Sequence, residues 1–368
     1  MRHVARALIL SGSVGRGHDS VAQAARASLR TRGVEGELLD CMGLLGGPGS
    51  RIGTAAFRRL LSVPTVYDGL HFSHLRAGTR LPALLERAAS NRLVPALRHR
   101  VGDRGELDCL LAVFPTGVTA AARLKEERDE LSVVAICTDA CAHRMWVRQG
   151  VDLYVVCSSL AANTVRRYDA GARIAVVPPP VRPAFFDAPD RASARAALGV
   201  SPEEPCVLLM AGGWGLGPLG DTAATLAGAG YQVLAVAGMN RRLERRLEAA
   251  AGDRRVHPFG FTERVPELMA AADVVVTTPG QTCHEARVVG RWLVLLDIVP
   301  GHGRENALHE IEQGGALACS PDPASVLGAV QVMFGERPDV APWPVDGTAG
   351  WDKEFFGALD SADLRPGA

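Results

Sequence analysis

Two glycine turns, about two hundred residues apart, constrain the fold of this chain more than any other feature of its sequence. Each turn follows an apolar run and leads into a helical pattern; the first spans residues 11–18 (SGSVGRGH) and the second spans residues 211–217 (AGGWGLG). Glycines allow positive φ and a close approach of the backbone to a ligand, and the N-terminus of the following helix favours an anion. One such turn often only joins a strand to a helix, but two in these positions predict two nucleotide-binding α/β domains.

The rest of the chain has the pattern of parallel sheets with crossover helices. Its 368 residues suit two domains, and short β-branched runs alternate with helical patterns in both halves. The proline-rich run 178–189 is predicted as the linker, because proline lacks the N–H that a helix or a central strand needs. The first helix is predicted at 21–31, and the predicted strands are 4–10, 36–39, 109–114, 132–137, 153–157, 174–177, 206–210, 232–237, 256–257, 274–277 and 293–297.

Composition argues against several classes of function. The 40 basic and 40 acidic residues balance, so the overall charge does not indicate a nucleic-acid partner. The eight cysteines are scattered, and no second pair accompanies Cys137 and Cys141 at zinc-finger spacing, so we predict no zinc site and a reduced, intracellular protein. The sequence shows no signal peptide and no apolar run of the ~18–20 residues that a spanning helix needs, which favours a cytoplasmic protein.

The motifs after the second glycine turn are more specific. In order they are GG-x-G-x-G at 212–217, GF-x-x-x-x-PE-x-M-x-A-x-D at 260–273, T-x-x-EA at 282–286 and PG-x-x-x-x-N at 300–306. Upstream counterparts are Gly17-His18, Thr138-Asp139 followed by His143 and Trp146, and Val181-Arg182-Pro183. In this combination the chain resembles the monogalactosyldiacylglycerol synthases and the related undecaprenyl-pyrophosphoryl-muramoyl-peptide GlcNAc transferases, from about residue 5 to about residue 328.

The resemblance implies an α/β protein of the GT-B fold, with two Rossmann-like parallel-sheet domains facing a cleft. Residues 1–183 would be the N-terminal acceptor-binding domain, residues 184–335 the C-terminal nucleotide-sugar-binding domain, and residues 336–368 a segment crossing back to the first. It also implies transfer from a UDP-sugar to an acceptor hydroxyl of a lipid or a small natural product, with inversion. No cofactor besides this co-substrate and no metal would be needed, because backbone amides and an arginine neutralise the diphosphate.

Individual residues acquire donor-binding roles by the same resemblance. Glu285 matches the glutamate that binds the ribose hydroxyls, while Phe261 and Thr262 match positions beside the uracil ring. His302 replaces a sugar-contacting glutamine, which leaves the identity of the sugar open. The alternatives are that Glu285 only favours a helix N-terminus and that Phe261 is a core residue. The complete set of expected donor contacts is Gly17, Arg182, Gly213, Gly215, Phe261, Thr262, Thr282, Glu285, His302, Glu305 and Asn306.

His18 is the leading candidate for the base that deprotonates the acceptor. An imidazole with a usual pKa of ~6.5 suits this task, and a helix N-terminus favours its neutral form. The alternative is that His18 binds phosphate or acceptor. Ser13 stands where the galactolipid synthases tend to carry an aspartate, so Asp139 is a second catalytic candidate, and Asp19 is another substitute.

Two other functions fit the same pattern, and one segment suggests a membrane partner. A non-hydrolysing UDP-GlcNAc 2-epimerase shares the fold and donor. Departures from the family pattern at Ser13, Thr277 and Pro279 suggest instead a non-catalytic nucleotide-sugar-binding homologue.

Between residues 51 and 104, ten arginines and only three acidic residues lie among apolar ones. This segment predicts peripheral contact with an anionic membrane, or alternatively a solvated helical face.

Overall fold

The structure is a computed structural model, which describes residues 6–12, 16–44, 71, 73, 80–102, 107, 109–213, 215, 217–250, 254–340 and 343–364. Its contacts divide the chain into two compact units, Met1–Arg182 with Val345–Ala368, and Pro183–Pro344. None of the helices in the described ranges is long and apolar enough to cross a lipid bilayer.

The first unit is built on a six-stranded parallel sheet. Its strands are β1 (Arg6–Ser11), β2 (Glu35–Asp40), β3 (Cys109–Ala112), β4 (Ser132–Cys137), β5 (Leu153–Val156) and β6 (Ile174–Val176). The described helices between them are α1 (Gly17–Thr31), α2 (Cys41–Leu44), α3 (Arg80–Val101), α4 (Pro115–Glu127) and α5 (Ser159–Tyr168), with a 3₁₀ turn at Arg144–Trp146. The strands lie in the order β2-β1-β3-β4-β5-β6.

Strand β1 shows how helices cover both faces of this sheet. Leu8 and Leu10 join a buried cluster with side chains of α3 and α4, whereas Ala7 and Ile9 join a second cluster with side chains of α1. Successive side chains of a strand point to opposite faces, so a strand covered on both faces needs a continuous apolar run. The apolar run that precedes the first glycine turn is therefore explained by a parallel, doubly covered sheet.

The second unit has its own six-stranded parallel sheet. Its strands are β7 (Cys206–Met210), β8 (Gln232–Val236), β9 (Val256–Phe259), β10 (Val274–Thr277), β11 (Trp292–Leu296) and β12 (Ala316–Cys319). Its described helices are α6 (Pro183–Phe186), α7 (Arg191–Leu198), α8 (Leu219–Gly228), α9 (Arg241–Ala250), α10 (Val265–Ala271), α11 (Gln281–Val288), α12 (His302–Glu312) and α13 (Pro323–Glu336). The order β12-β11-β10-β7-β8-β9 is that of a Rossmann sheet.

The C-terminal helix α14 (Gly347–Ser361) belongs to the first unit. Trp351 and Phe355 stack with ring centroids 4.6 Å apart and enter the same buried cluster as α1. The Trp351 indole N–H donates a hydrogen bond of 2.7 Å to the Pro178 carbonyl, and the Arg32 guanidinium lies 4.0 Å above the Phe356 ring. The last helix thus completes the core of the unit in which the chain begins.

The eleven predicted strands all correspond to observed strands, with ends that differ by at most two residues. Residues 4 and 5 of the first prediction lie outside the described residues. Strand β12 was not predicted, and its sequence ALAC contains no β-branched residue. Helix α1 begins four residues before the predicted start, at Gly17, so that His18 lies in its first turn.

Candidate functional site

Both sheets contain a reversal of strand order, which marks where ligands bind in open α/β folds. Strand β1 lies between β2 and β3, and strand β7 lies between β8 and β10. Ligands of such sheets bind outside the carboxyl ends of the strands, at these reversal points. The two glycine turns follow β1 and β7, so each unit carries its turn where the topology favours a ligand.

A hydrogen bond joins the His18 side chain to the residue that follows the neighbouring strand β3. Its Nδ1–H donates a hydrogen bond of 2.7 Å to the Val113 carbonyl. A carbonyl oxygen only accepts hydrogen bonds, so Nδ1 carries the proton and Nε2 keeps the lone pair of the neutral ring. The Phe114 ring meets the imidazole edge-on, with centroids 5.1 Å apart. In its neutral form His18 is therefore the tautomer that carries its proton on Nδ1 and its lone pair on Nε2.

Gly12 owes its identity to the packing of Phe114. A β-carbon at Gly12 would lie 2.5 Å from atoms of the Phe114 ring, well inside van der Waals contact. The ring in turn lies beside His18, so the absence of a side chain at residue 12 gives room for the aromatic contact. This glycine serves side-chain packing as well as the turn.

Asp139 lies in the same cluster as His18 and holds a tryptophan. Its Oδ2 accepts a hydrogen bond of 2.7 Å from the Trp146 indole N–H and lies 3.6 Å from His143 Nε2. The Trp146 ring is 6.4 Å from the ring of His18 and 6.4 Å from that of His143. The two predicted catalytic residues thus both lie beside one buried indole, and the contacts of Asp139 suit orientation of the loop.

Other candidates near this edge are engaged in local contacts. Asp19 accepts a hydrogen bond of 2.7 Å from the Ser11 hydroxyl and lies 3.6 Å from Arg16, so its carboxylate stabilises the turn itself. Ser13 lies outside the described residues. The thiol of Cys137 donates to the Asp139 carbonyl at 3.8 Å, and burial raises the pKa of this thiol well above its usual range, which keeps it protonated.

The second glycine turn has the backbone conformation that its sequence predicts. Gly212, Gly215 and Gly217 have φ values of 60°, 55° and 88°, a region that favours glycine. The Gly215 N–H donates to the Gly212 carbonyl at 3.3 Å, and a β-carbon at Gly217 would lie 2.7 Å from Ile298. Gly213 and Gly215, the two predicted phosphate contacts, lie within this turn, ahead of helix α8.

The remaining donor candidates begin two adjacent helices of the second unit. Helix α11 follows β10 and carries Thr282 in its first turn and Glu285, which is buried. Helix α12 follows the neighbouring strand β11; His302 is its first residue, Glu305 lies in its first turn, and Asn306 is buried. Because β10 and β11 are paired in parallel, these helix N-termini lie at the same edge of the sheet.

A buried ion pair, which was not predicted from the sequence, joins these two helices. Arg287 Nε donates to Glu310 Oε2 at 2.6 Å, and Arg287 Nη2 donates to the Glu310 carbonyl at 2.7 Å. Their side chains are 7% and 4% exposed. His284 Nδ1 lies 3.6 Å from the same carboxylate, but burial dominates and lowers the pKa of this imidazole. The only signal in the sequence was a pair of polar residues, 284 and 287, three apart on one helix.

The residues predicted to contact the uracil and the phosphates, and Gly17 of the first turn, differ in their exposure to solvent. Phe261 is 52% exposed after the end of β9, which contradicts the alternative that it is a core residue. The Thr262 hydroxyl accepts a hydrogen bond of 3.1 Å from the Arg264 N–H and so stabilises the approach to α10. Arg182 is partly buried at the last position of the first unit, and Gly17 is the first residue of α1.

Within the described ranges, no group of three or more histidine, cysteine, aspartate or glutamate side chains could hold a metal ion. All eight cysteines are free thiols.

Comparison with known sequences gave clear relatives, although no family model matches the chain. A probable monogalactosyldiacylglycerol synthase of Nicotiana tabacum is 29% identical over 248 residues, which are 63% of this chain and 46% of that protein. The processive diacylglycerol beta-glucosyltransferase of Bacillus subtilis is 28% identical over 222 residues, 58% of each chain. The chain spans about half the length of the curated relatives it matches.

Solved structures match nearly the whole chain. MurG of Acinetobacter baumannii aligns with a TM-score of 0.56 and 13% identity over 99% of both chains. Anabaena HepE in complex with UDP aligns with a TM-score of 0.52 and 17% identity, over 98% of this chain and 95% of HepE. At such identities the likeness establishes the fold alone.

These likenesses and the two Rossmann-like sheets define a protein of the GT-B fold, which confirms the predicted fold class. Within that class, the chain is a homologue of the monogalactosyldiacylglycerol synthases and diacylglycerol glucosyltransferases, as its motifs predicted.

Proposed function

We propose that this chain is a glycosyltransferase that moves a sugar from a UDP-sugar to an acceptor hydroxyl with inversion. The observation that carries the proposal is the carboxyl edge of the second sheet, where the glycine turn, Glu285 and Asn306 follow the three neighbouring strands β7, β10 and β11 beside the strand reversal. This is where an α/β sheet binds a nucleotide. The sequence relatives named above transfer sugars to diacylglycerol or make galactolipid, which supports the same reaction.

In this proposal the donor is bound part by part. The glycine turn that contains Gly213 and Gly215 and the guanidinium of Arg182 neutralise the diphosphate. The buried carboxylate of Glu285 accepts hydrogen bonds from the two ribose hydroxyls, and the exposed ring of Phe261 covers the uracil. Five further residues would meet the sugar and the base. They are Thr262 ahead of α10, Thr282 in the first turn of α11, and His302, Glu305 and Asn306 at the start of α12.

His18 supplies the proton acceptor. Its Nε2 removes the proton from the acceptor hydroxyl, whose oxygen attacks the anomeric carbon of the sugar as the bond from that carbon to UDP breaks. UDP leaves with the bonding electrons, and the displacement inverts the anomeric centre. The bond from Nδ1 to Val113 keeps the ring oriented throughout, and a positioned base of this kind typically contributes ~10²–10⁴ in rate. Asp139 contributes by holding Trp146 beside this ring.

We further propose that no cofactor and no metal ion take part, because amides and Arg182 balance the charge of the leaving group. The measurement is turnover in the presence of EDTA, which should be unchanged. A loss of activity that magnesium restores would contradict this part of the proposal.

We propose a lipid acceptor and peripheral contact with an anionic membrane. The names of the relatives specify diacylglycerol, and the basic segment between residues 51 and 104 would attract anionic headgroups, although most of that segment lies outside the described residues. Sedimentation with anionic vesicles should show binding at low salt that high salt removes. Absence of binding at low salt would favour the other acceptor class, a small natural product.

The decisive experiment is a screen of UDP-sugars against lipid and soluble acceptors, with products identified by mass spectrometry. Transfer to an acceptor would support the proposal. A UDP-sugar converted to its 2-epimer without any acceptor would point to the epimerase, which the sugar-transferring relatives do not favour. UDP binding without turnover on any acceptor would identify a non-catalytic homologue.

A further inference from the structure

The turn that follows β8, residues 238–240, packs directly against the glycine turn that follows β7. The Met239 N–H donates a hydrogen bond of 3.0 Å to the Gly213 carbonyl. Gly238 has a φ of 58°, and a β-carbon there would lie 2.9 Å from the same carbonyl oxygen. The two backbones are therefore in contact, and a side chain at residue 238 would separate them.

Asn240 joins the two turns with its side chain. Its Nδ2 donates to the Gly215 carbonyl at 3.2 Å, and its Oδ1 accepts a hydrogen bond of 3.1 Å from the Leu243 N–H. The second contact is an N-cap, because Leu243 lies in the first turn of α9. The partners fix the orientation of the amide, since an N–H only donates and a carbonyl only accepts. One amide thus caps a helix with its oxygen and holds the glycine turn with its nitrogen.

These contacts hold part of the backbone of the glycine turn in place. The carbonyls of Gly213 and Gly215 both bond to the turn at 238–240. A peptide group is planar, so a hydrogen bond that holds its carbonyl also holds the orientation of the whole peptide. Successive N–H groups on one edge form an anion-binding concavity. Gly215 has a φ of 55°, and glycine peptides rotate easily, so this orientation needs an external constraint.

We propose that Asn240 is a positioning residue that holds the glycine turn in the conformation that binds the diphosphate of the donor. The inference rests on the proposed function and names a residue that prepares the donor site without touching the donor. The contribution of Asn240 is one hydrogen bond to a flexible turn, so the expected loss on its removal is about tenfold in affinity.

The substitution Asn240→Ser separates the two roles of this side chain. Serine is about as good an N-cap as asparagine, is too short to reach the Gly215 carbonyl, and introduces no charge. Asn240→Ala removes both contacts. Urea unfolding should give a midpoint for Asn240→Ser that lies closer to wild type than that of Asn240→Ala, because only the serine keeps the N-cap.

Titration calorimetry with UDP and with uridine then measures the phosphate contact by itself. We expect both variants to bind UDP about tenfold more weakly than wild type and to bind uridine unchanged, because uridine lacks the diphosphate. Asp190→Ala is the matched control. Asp190 caps α7 through the Ser193 N–H at 2.9 Å, so its loss should lower the urea midpoint and leave UDP binding unchanged.

The outcomes separate this inference from the proposed function. Wild-type affinity for UDP in Asn240→Ser, or an equal weakening of uridine binding, would overturn the positioning role and leave the donor assignment in place. Wild-type protein that binds neither UDP nor any UDP-sugar would overturn the proposed function, and this inference with it.

Discussion

The two glycine turns are alike in sequence, but different parts of the molecule hold them in place. The first is held by side chains, since the Phe114 ring lies against Gly12 and beside His18. The second is held largely by backbone, through the contact of residues 238–240 with Gly213. A turn surrounded by rings and a carboxylate suits proton transfer, whereas a turn whose carbonyls are engaged suits an anion. The same local pattern can therefore prepare two kinds of chemistry.

The largest expected effect tests the proton-transfer side of this comparison. His18→Ala should lower kcat by ~10²–10⁴ and leave UDP affinity nearly unchanged, because the imidazole acts on the acceptor. Steady-state kinetics and UDP calorimetry measure the two quantities. The control is His99→Ala, an exposed histidine of α3, which should leave both unchanged. If His18→Ala lost UDP affinity as strongly as kcat, His18 would be a phosphate-binding residue. Both turns would then bind anions, and the proposed difference between them would be wrong.

The second effect concerns the helices that carry the donor candidates. Arg287→Met leaves the buried carboxylate of Glu310 without its main partner, and breaking such a pair typically costs about 3–5 kcal/mol of unfolding free energy. Urea unfolding measures this loss. The double variant Arg287→Met/Glu310→Leu should recover most of it, because no unpaired charge remains buried. Wild-type stability in the single variant would show that α11 and α12 do not depend on the pair.

The third effect tests the anion side through the nucleoside. Glu285→Ala should weaken UDP binding by about 1.5–3 kcal/mol, the range for hydrogen bonds to a charged group. Wild-type protein should discriminate against 2′-deoxy-UDP, and the variant should bind both nucleotides equally, as calorimetry would show. If Glu285→Ala still prefers UDP over its deoxy form by the wild-type factor, the ribose contact lies elsewhere.

The smallest expected effect tests whether the packing of Phe114 against Gly12 holds the first glycine turn. Gly12→Ala forces a methyl group against the Phe114 ring and should cost about 1–3 kcal/mol of unfolding free energy. Gly228→Ala at the end of α8 is the control, since nothing lies within 4 Å of the added β-carbon, and it should be neutral or slightly stabilising. Adding Phe114→Leu to Gly12→Ala should restore part of the loss. Equal stability of the two single variants would show that Phe114 moves aside freely.

The fold was largely predictable from the sequence, because buried parallel strands require apolar runs that alternate visibly with helical patterns. Strand β12, which contains no β-branched residue, was not predicted. Candidate residues on the turns, such as His18 and Gly215, were predictable from spacing, since strand, turn and helix are local. The tautomer of His18 was not, because it depends on Val113, 95 residues away in the chain.

The pairs missed by sequence analysis have one property in common. Arg287 with Glu310 and Asn240 with Gly215 lie 23 and 25 residues apart, and they meet only because the strands before them are neighbours in the sheet. Residue type and spacing do not encode such meetings. Asp139 shows the converse, since its position was predicted but its bond to Trp146 indicates orientation of a loop more directly than proton transfer.

The place of α14 in the first unit sets an order of events during synthesis. A ribosome must make the whole of Pro183–Pro344 before the helix that carries Trp351 and Phe355 emerges. At ~5–20 residues per second this takes on the order of ten seconds or more, and throughout that time the face of the first sheet that those rings will cover stays open. The nascent first half is therefore an incomplete domain with an exposed apolar face, and the final helix is the step that closes it.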